Sequence, residues 1–235
     1  MTRPVLQITA HGARVRMRDT GGKISRCMRR GVPYERPLLE HIYQQRFTGV
    51  AVDAGANIGN HTLWFSQVCG LDVVAFEPLH HELLAEHVRM NRAQKRVRIE
   101  TVALGDHTST ATHVGKGRLD PDASAEPSAE PDVAAGQWIG SGANLPVRTL
   151  DSYQLPDVDV IKADIEGMEA MMLAGARATI RRHRPVVFAE EWGRPEHEAI
   201  ASVLHPLGYA LTRRFSGKGS RTPVGRWDYT AGGAR

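Results

Sequence analysis

From residue 49 onward, short apolar runs alternate with stretches of helical period, and that alternation narrows the fold more than anything else in the chain. VAVDA (50–54), DVVAF (72–76), VRIETVAL (97–104), VDVIKADI (158–165) and PVVFAEE (185–191) read as strands. Helices are expected over about Ile58–Val68, HHELLAEHVRMNRA (80–93), GMEAMMLAGARATIRR (167–182) and PEHEAIASVLHPLG (195–208). Parallel strands need a long crossover between them, and a helix fills it. Repeated strand–helix units therefore imply an α/β, doubly wound, mostly parallel sheet with helices on both faces. YALTRRF (209–215) and GRWDYTA (225–231) read as a C-terminal hairpin supplying an antiparallel edge strand.

Residues 1–48 precede this pattern. VLQIT and ARVRMR flank the turn-prone His11–Gly12, DTGGK breaks the run, and a helix is expected from about Pro33 to Gln45 with Leu38, Leu39, Ile42 and Tyr43 as its apolar stripe. This segment reads as a lid or extension on a main domain spanning 49–235. A stretch near 119–144, rich in Pro, Ala, Ser, Gly and acids, interrupts that domain and reads as a mobile insertion. No apolar run approaches the roughly 20 residues of a membrane span, and the N-terminus lacks a signal-peptide core, so a cytoplasmic protein is expected. Cys27 and Cys69 read as reduced thiols.

The net charge of +4 is unevenly spread: residues 1–36 hold nine bases and two acids, residues 211–235 six bases and one acid, and residues 119–135 five acids alone. Basic ends suit an anionic partner, yet 25 of the 30 bases are arginines without interleaved aromatics, which argues against a nucleic-acid surface. A homodimer is compatible with the sequence.

In a doubly wound sheet the ligand crevice lies at the carboxyl ends of the strands. Asp53 ends the first strand, and Gly55 and Gly59 bracket the turn into the first helix, where backbone can approach a ligand and free amides favour an anionic group. The spacing is D-x-G-x-x-x-G, with Ala56 and Asn57 between the glycines, not the G-x-G-x-x-G of a dinucleotide fold. An acid in first place would repel a pyrophosphate, which disfavours an NAD-dependent dehydrogenase. It suits a ligand with both an ammonium and a carboxylate, such as the methionine end of S-adenosylmethionine. Glu77 ends the second strand, where an acceptor-only carboxylate can take both ribose hydroxyls; the alternative is a cap for the next helix. Pro78 then stops the strand. Ala103 and Leu104 lie where an adenine ring would sit, with Asp106 placed to accept from its exocyclic amine.

VAVDAGANIGNHTLWFS, VVAFEPLHHELLAEHVRMN, VALGD, VRTLDSY and VDVIKADIEGMEAMMLAGA together resemble the FkbM-type S-adenosylmethionine-dependent methyltransferases over about Val50–Glu191. The resemblance implies the seven-stranded methyltransferase fold, methylation of hydroxyl oxygens on sugars and other natural products, and cofactor roles for Asp53, Gly55, Asn57, Gly59 and Glu77. Ala56 and Pro78 belong to the same two segments. The acidic insertion and the basic C-terminus depart from the family pattern.

Lys162, Asp164 and Glu166 alternate along the end of the fourth strand, placing three ionisable groups at the crevice mouth. Methyl transfer to a hydroxyl needs alignment and a base. Asp164 is the first candidate for that base or for contacting the hydroxyl, Glu166 the second, and His61 on the opening turn of the first helix a third. A buried ion-pair network around Lys162 is the structural alternative. Glu190, Glu191, Trp192, Tyr34 and Glu35 are candidates for the acceptor pocket. Asp164, Glu190 and Glu191 would also suit a divalent cation such as magnesium, which the resemblance does not require. The expected activity is O-methylation of a small hydroxyl-bearing acceptor. The alternatives are a nucleotide, peptide or nucleic-acid acceptor, or a non-catalytic cofactor-binding protein.

Overall fold

The computed structural model describes residues 3–113, 119–120, 144–215 and 223–230. β1 (Val5–Ala10) and β2 (Ala13–Arg18) pair as an antiparallel hairpin, followed by α1 (Lys23–Arg29) and α2 (Arg36–Gln45). His11 and Gly12 close the hairpin with φ of 46° and 81°, the left-handed backbone that a tight two-residue turn requires. Next come β3 (Val50–Ala54), α3 (Asn60–Leu63), β4 (Asp72–Phe76), α4 (His81–Met90) and β5 (Val97–Glu100). Short strands β6 (Ala103–Leu104), β7 (Ser109–His113), β8 (Leu119–Asp120) and β9 (Asn144–Arg148) form a separate small sheet, ordered β6–β9–β7–β8. The chain continues through β10 (Val158–Ala163), α5 (Glu169–Ala174), α6 (Arg177–His183), β11 (Val186–Glu190), α7 (Arg194–Leu204), β12 (Tyr209–Phe215) and β13 (Val224–Tyr229).

The main sheet has seven strands in the order β12–β13–β11–β10–β3–β4–β5. The five strands from β11 to β5 are parallel, which puts their carboxyl ends on one edge. The expected antiparallel strand is present as β13, one place in from the edge, with β12 outside it. The strand order reverses between β3 and β10, which are paired in parallel.

Period-two alternation sorts the strand side chains into two cores. Val52, Ala54, Ile161, Ala163, Val187 and Ala189 face α5, α6 and α7. Ala51, Val160 and Phe188 face the other way, packed with Ile8, Met17, Leu38, Leu39 and Ile42 of the N-terminal segment and with Leu63 and Phe65. Two residues further along the same strands, Asp53, Lys162 and Glu190 fall on that second face. The N-terminal segment thus covers the face on which the charged residues stand.

Three elements differ from expectation. The run 97–104 splits into β5 and β6 at Thr101–Val102, because its second half pairs with β9 rather than β4. The helix expected over 167–182 divides at Gly175, where a Cβ would lie 2.0 Å from the Gly105 carbonyl. The first helix starts at Asn60 and widens into a π-helical turn over Trp64–Val68. The acidic insertion lies outside the described residues except for Leu119, Asp120 and Asn144. No helix of the described residues is long and apolar enough to cross a membrane.

Candidate active site

The turn after β3 is built from left-handed backbone. Gly55, Asn57 and Gly59 have φ of 79°, 49° and 98°, with Ala56 and Ile58 between them. Gly55 is obligatory for a second reason: a Cβ there would sit 1.9 Å from the Asp164 carbonyl, so the turns after β3 and β10 touch through it. The turn uses its own amides. Gly55 and Ala56 N–H donate to the Phe76 carbonyl (3.0 and 3.2 Å) and Gly59 N–H to Ala56 (2.8 Å). The amides of Gly55, Ala56 and Gly59 are thus engaged within the protein.

Glu77 ties that turn to the next strand. Its Oε2 accepts from Asn57 N–H (2.7 Å), and its Oε1 from Leu79 and His80 N–H (2.8 and 2.9 Å). Glu77 thus caps the segment leading into α4, the alternative the sequence offered, and also holds the turn after β3. A carboxylate offers about four acceptor positions, so about one remains for a ligand hydroxyl. Pro78 follows, its carbonyl approached by His81 Nδ1 at 3.1 Å. Ala103 and Leu104 are buried, and Leu104 shares a core with Phe76, the neighbour of Glu77. Asp106 is exposed and paired with His107 Nδ1 at 2.7 Å.

Beneath the turn lies a buried cluster of charge. Lys162 is 1% exposed and its Nζ donates to Asp164 Oδ2 at 2.8 Å. Burial works against the ammonium, but Asp164, Glu35 and Asp53 more than offset it and hold its pKa above the usual range. Burial likewise opposes ionisation of Asp164, yet Lys162 and a hydrogen bond shared with Glu190 hold its carboxyl below the usual range. Asp53 pairs with Lys162 in strand register and accepts from Thr62 Oγ1 at 2.5 Å. Enclosure pushes its pKa up, against the pull of His61 and Lys162. The expected ion-pair network around Lys162 thus includes Asp164, the first of the expected catalytic candidates.

His61 and Glu35 complete this cluster from above, with Nε2 and Oε2 3.1 Å apart. Tyr34 is anchored by its carbonyl, which accepts from Asn60 Nδ2 at 3.1 Å. Glu166 occupies the turn after β10 with φ of 59°, next to Gly167 at 98°. Glu190 accepts from the indole N–H of Trp192 at 2.8 Å, and Trp192 itself is 51% exposed. Glu191 belongs elsewhere: Arg214 Nε donates to it at 3.0 Å and His197 Nδ1 lies 3.3 Å away, fastening the C-terminal hairpin. Glu191 is therefore not brought together with Asp164 and Glu190, and among the described residues no group of three His, Cys, Asp or Glu is arranged to hold a metal.

Two site residues had no sequence signal. Glu169 accepts from Ile165 and Gly167 N–H at 2.8 and 3.3 Å, shaping the Asp164–Gly167 turn from below. Its burial raises its pKa to about 7 against those amides. Thr62, the partner of Asp53, carries no mark of that role in the sequence.

Comparison with known proteins identifies the family and the fold. The sequence model described as the methyltransferase FkbM domain matches residues 53–211. The fold is similar to that of the methyltransferase FkbM from Methylobacillus flagellatus KT, at 20% identity and a TM-score of 0.57, over 78% of this chain and 44% of that one. The chain thus spans less than half the length of that protein. It is also similar to the METTL16 methyltransferase domain, at 12% identity and a TM-score of 0.51, over 89% of this chain and 74% of that one. No curated protein matches it.

Proposed function

This chain belongs to the FkbM methyltransferase family, and we propose that it transfers a methyl group from S-adenosylmethionine to a hydroxyl oxygen of a sugar or other small natural-product acceptor. The observation that carries this reading is Glu77, a buried carboxylate that locks the glycine turn after β3 to the end of β4 and keeps about one acceptor position for a ribose hydroxyl. The donor set fits a nucleoside with a cationic tail: Glu77 faces the ribose side and Asp53 and Asp164 lie on the side of the turn where an ammonium would rest. When bound, the cofactor supplies an electrophilic methyl on sulfonium. Leu104 and Ala103 are proposed to flank the base, with Asp106 beyond them.

The acceptor side is formed by Asp164, Glu190 and Trp192. Their hydrogen-bonded chain runs from the buried Lys162 to an exposed indole. An indole face stacks on the apolar face of a sugar ring while the carboxylates accept its hydroxyls. Asp164, held ionised by Lys162, is a good hydrogen-bond acceptor and a weak base. Its proposed role is to orient the acceptor hydroxyl, with Glu166 shaping the turn beside it.

Radiolabelled methyl transfer from S-adenosylmethionine to a panel of methyl hexopyranosides and nucleotide sugars tests the reading. Label is expected in a base-stable ether on at least one sugar, and W192A should raise KM for it roughly tenfold. Label in RNA, in peptide or in no acceptor would contradict the sugar assignment.

A further inference from the structure

The pair formed by Glu35 and His61 extends the proposed transfer and rests on it. We infer that His61 is the general base that takes the acceptor's hydroxyl proton, and that Glu35, brought in by the N-terminal segment, is the positioning residue that fixes the imidazole.

Glu35 is oddly placed for an ordinary helix cap. Its carbonyl accepts from Leu38 and Leu39 N–H at the start of α2, but its side chain caps nothing. The backbone holds it at φ of 56°, a conformation that costs a non-glycine residue energy. The carboxylate is directed instead to His61. Both side chains are more than nine-tenths buried, at 7% and 9% exposure. Glu35 Oε2 and His61 Nε2 are close enough for an ion pair, yet neither makes an aligned hydrogen bond. Buried polar atoms almost always have one, so this pair is set for a small closure of the ring angle when a substrate occupies the cleft. The bond from Asn60 to the Tyr34 carbonyl fixes the approach independently, joining the residues that immediately precede His61 and Glu35.

The groups facing His61 are Glu35 from the segment before α2, Asp53 on β3, and Lys162 with Asp164 on β10. Asp164 is neutralised by Lys162, and Asp53 is enclosed and bonded to Thr62. Of the bases in the cluster, only the imidazole combines a carboxylate partner with a second ring nitrogen to spare. With Nε2–H turned to Glu35, Nδ1 is the basic atom. It accepts the hydroxyl proton as the O–CH3 bond forms and the S–CH3 bond breaks; the sulfur keeps the bonding electron pair, and Glu35 stabilises the resulting imidazolium. This is the role a carboxylate plays behind a histidine base elsewhere.

Protein labelled with 15N-histidine and saturated with S-adenosylhomocysteine reads the tautomer directly in long-range 1H–15N correlation spectra, with the His61 signals identified by their loss in H61N. The expected result is an Nε2-protonated ring in the wild type and in E35D, and averaged nitrogens in E35Q. On a methyl hexopyranoside accepted in the transfer assay, E35Q should lower kcat about 10²-fold at unchanged KM and H61N by 10²–10⁴-fold, with E35D recovering part of the loss. An Nδ1-protonated ring in the wild type, or identical spectra in E35Q and wild type, would overturn the dyad, whether or not a hexoside is accepted. Failure to bind S-adenosylhomocysteine would instead overturn the cofactor reading beneath it.

Discussion

At the scale of single residues, the site is governed by one buried cation. Lys162 is enclosed among Asp53, Asp164 and Glu35, so its removal strands several carboxylates in a low-dielectric setting. Breaking a buried pair from one side costs about 3–5 kcal/mol. K162M should therefore lower the unfolding free energy by that order, read by urea denaturation. The companion K162M/D164L should recover part of it, because a neutral pair needs no counter-charge. Glu77 gives a second prediction. E77A leaves three backbone N–H donors without their carboxylate acceptor at once, with an expected loss of about 1–3 kcal/mol. It should also weaken S-adenosylhomocysteine binding at least tenfold in calorimetry. The types of these residues were legible in the sequence, since acids and a lysine at strand ends are costly unless used. Their partners were not: Thr62 behind Asp53 and Glu169 behind the Asp164 turn depend on how two loops meet through Gly55, which no local pattern encodes.

At the scale of elements, two buried titrating groups fasten the loops and give opposite pH dependences. His87 on α4 joins the N-terminal hairpin to the turn after β3: its Nε2 accepts from Arg18 N–H at 2.8 Å, and its Nδ1 meets the Ile58 carbonyl at 2.7 Å. Burial depresses its pKa, so the folded protein holds it neutral. The stability it contributes is complete above the unfolded value near 6.5 and is lost as pH falls towards the folded one. Unfolding free energy should drop as pH falls below about 6.5, and less in H87Q. Glu169 works the other way. With a folded pKa of about 7 against 4.5 unfolded, it costs stability as pH rises through that window. E169Q keeps an acceptor oxygen for Ile165 and Gly167, and should exceed the wild type above about pH 7 by on the order of 1–3 kcal/mol. The strand–helix order was legible because period and length separate the elements. The breaks were not, since Gly175 ends its helix through a contact with Gly105 and β6 leaves β5 to pair with β9.

For the whole molecule, the first 48 residues and the sheet form one buried face. Leu38, Leu39 and Ile42 pack on Ala51 and Phe188, and Arg226 on β13 donates to Gln45 of α2 at 3.0 Å. A chain lacking residues 1–48 would expose that core and lose Glu35, so no cooperative thermal unfolding is expected from it in calorimetry. The sequence marks this segment as an addition to the strand–helix domain, but its place over the charged edge follows only from the three-dimensional packing. The family relationship, the turn and Glu77 make the central claim that a nucleoside cofactor lies across the carboxyl ends of β3 and β4. A crystal structure with S-adenosylhomocysteine tests it most directly. The account predicts the ribose over the turn from Gly55 to Gly59, with at least one hydroxyl within about 3 Å of Glu77. A nucleoside bound elsewhere, or Glu77 still engaged only with backbone amides, would contradict it.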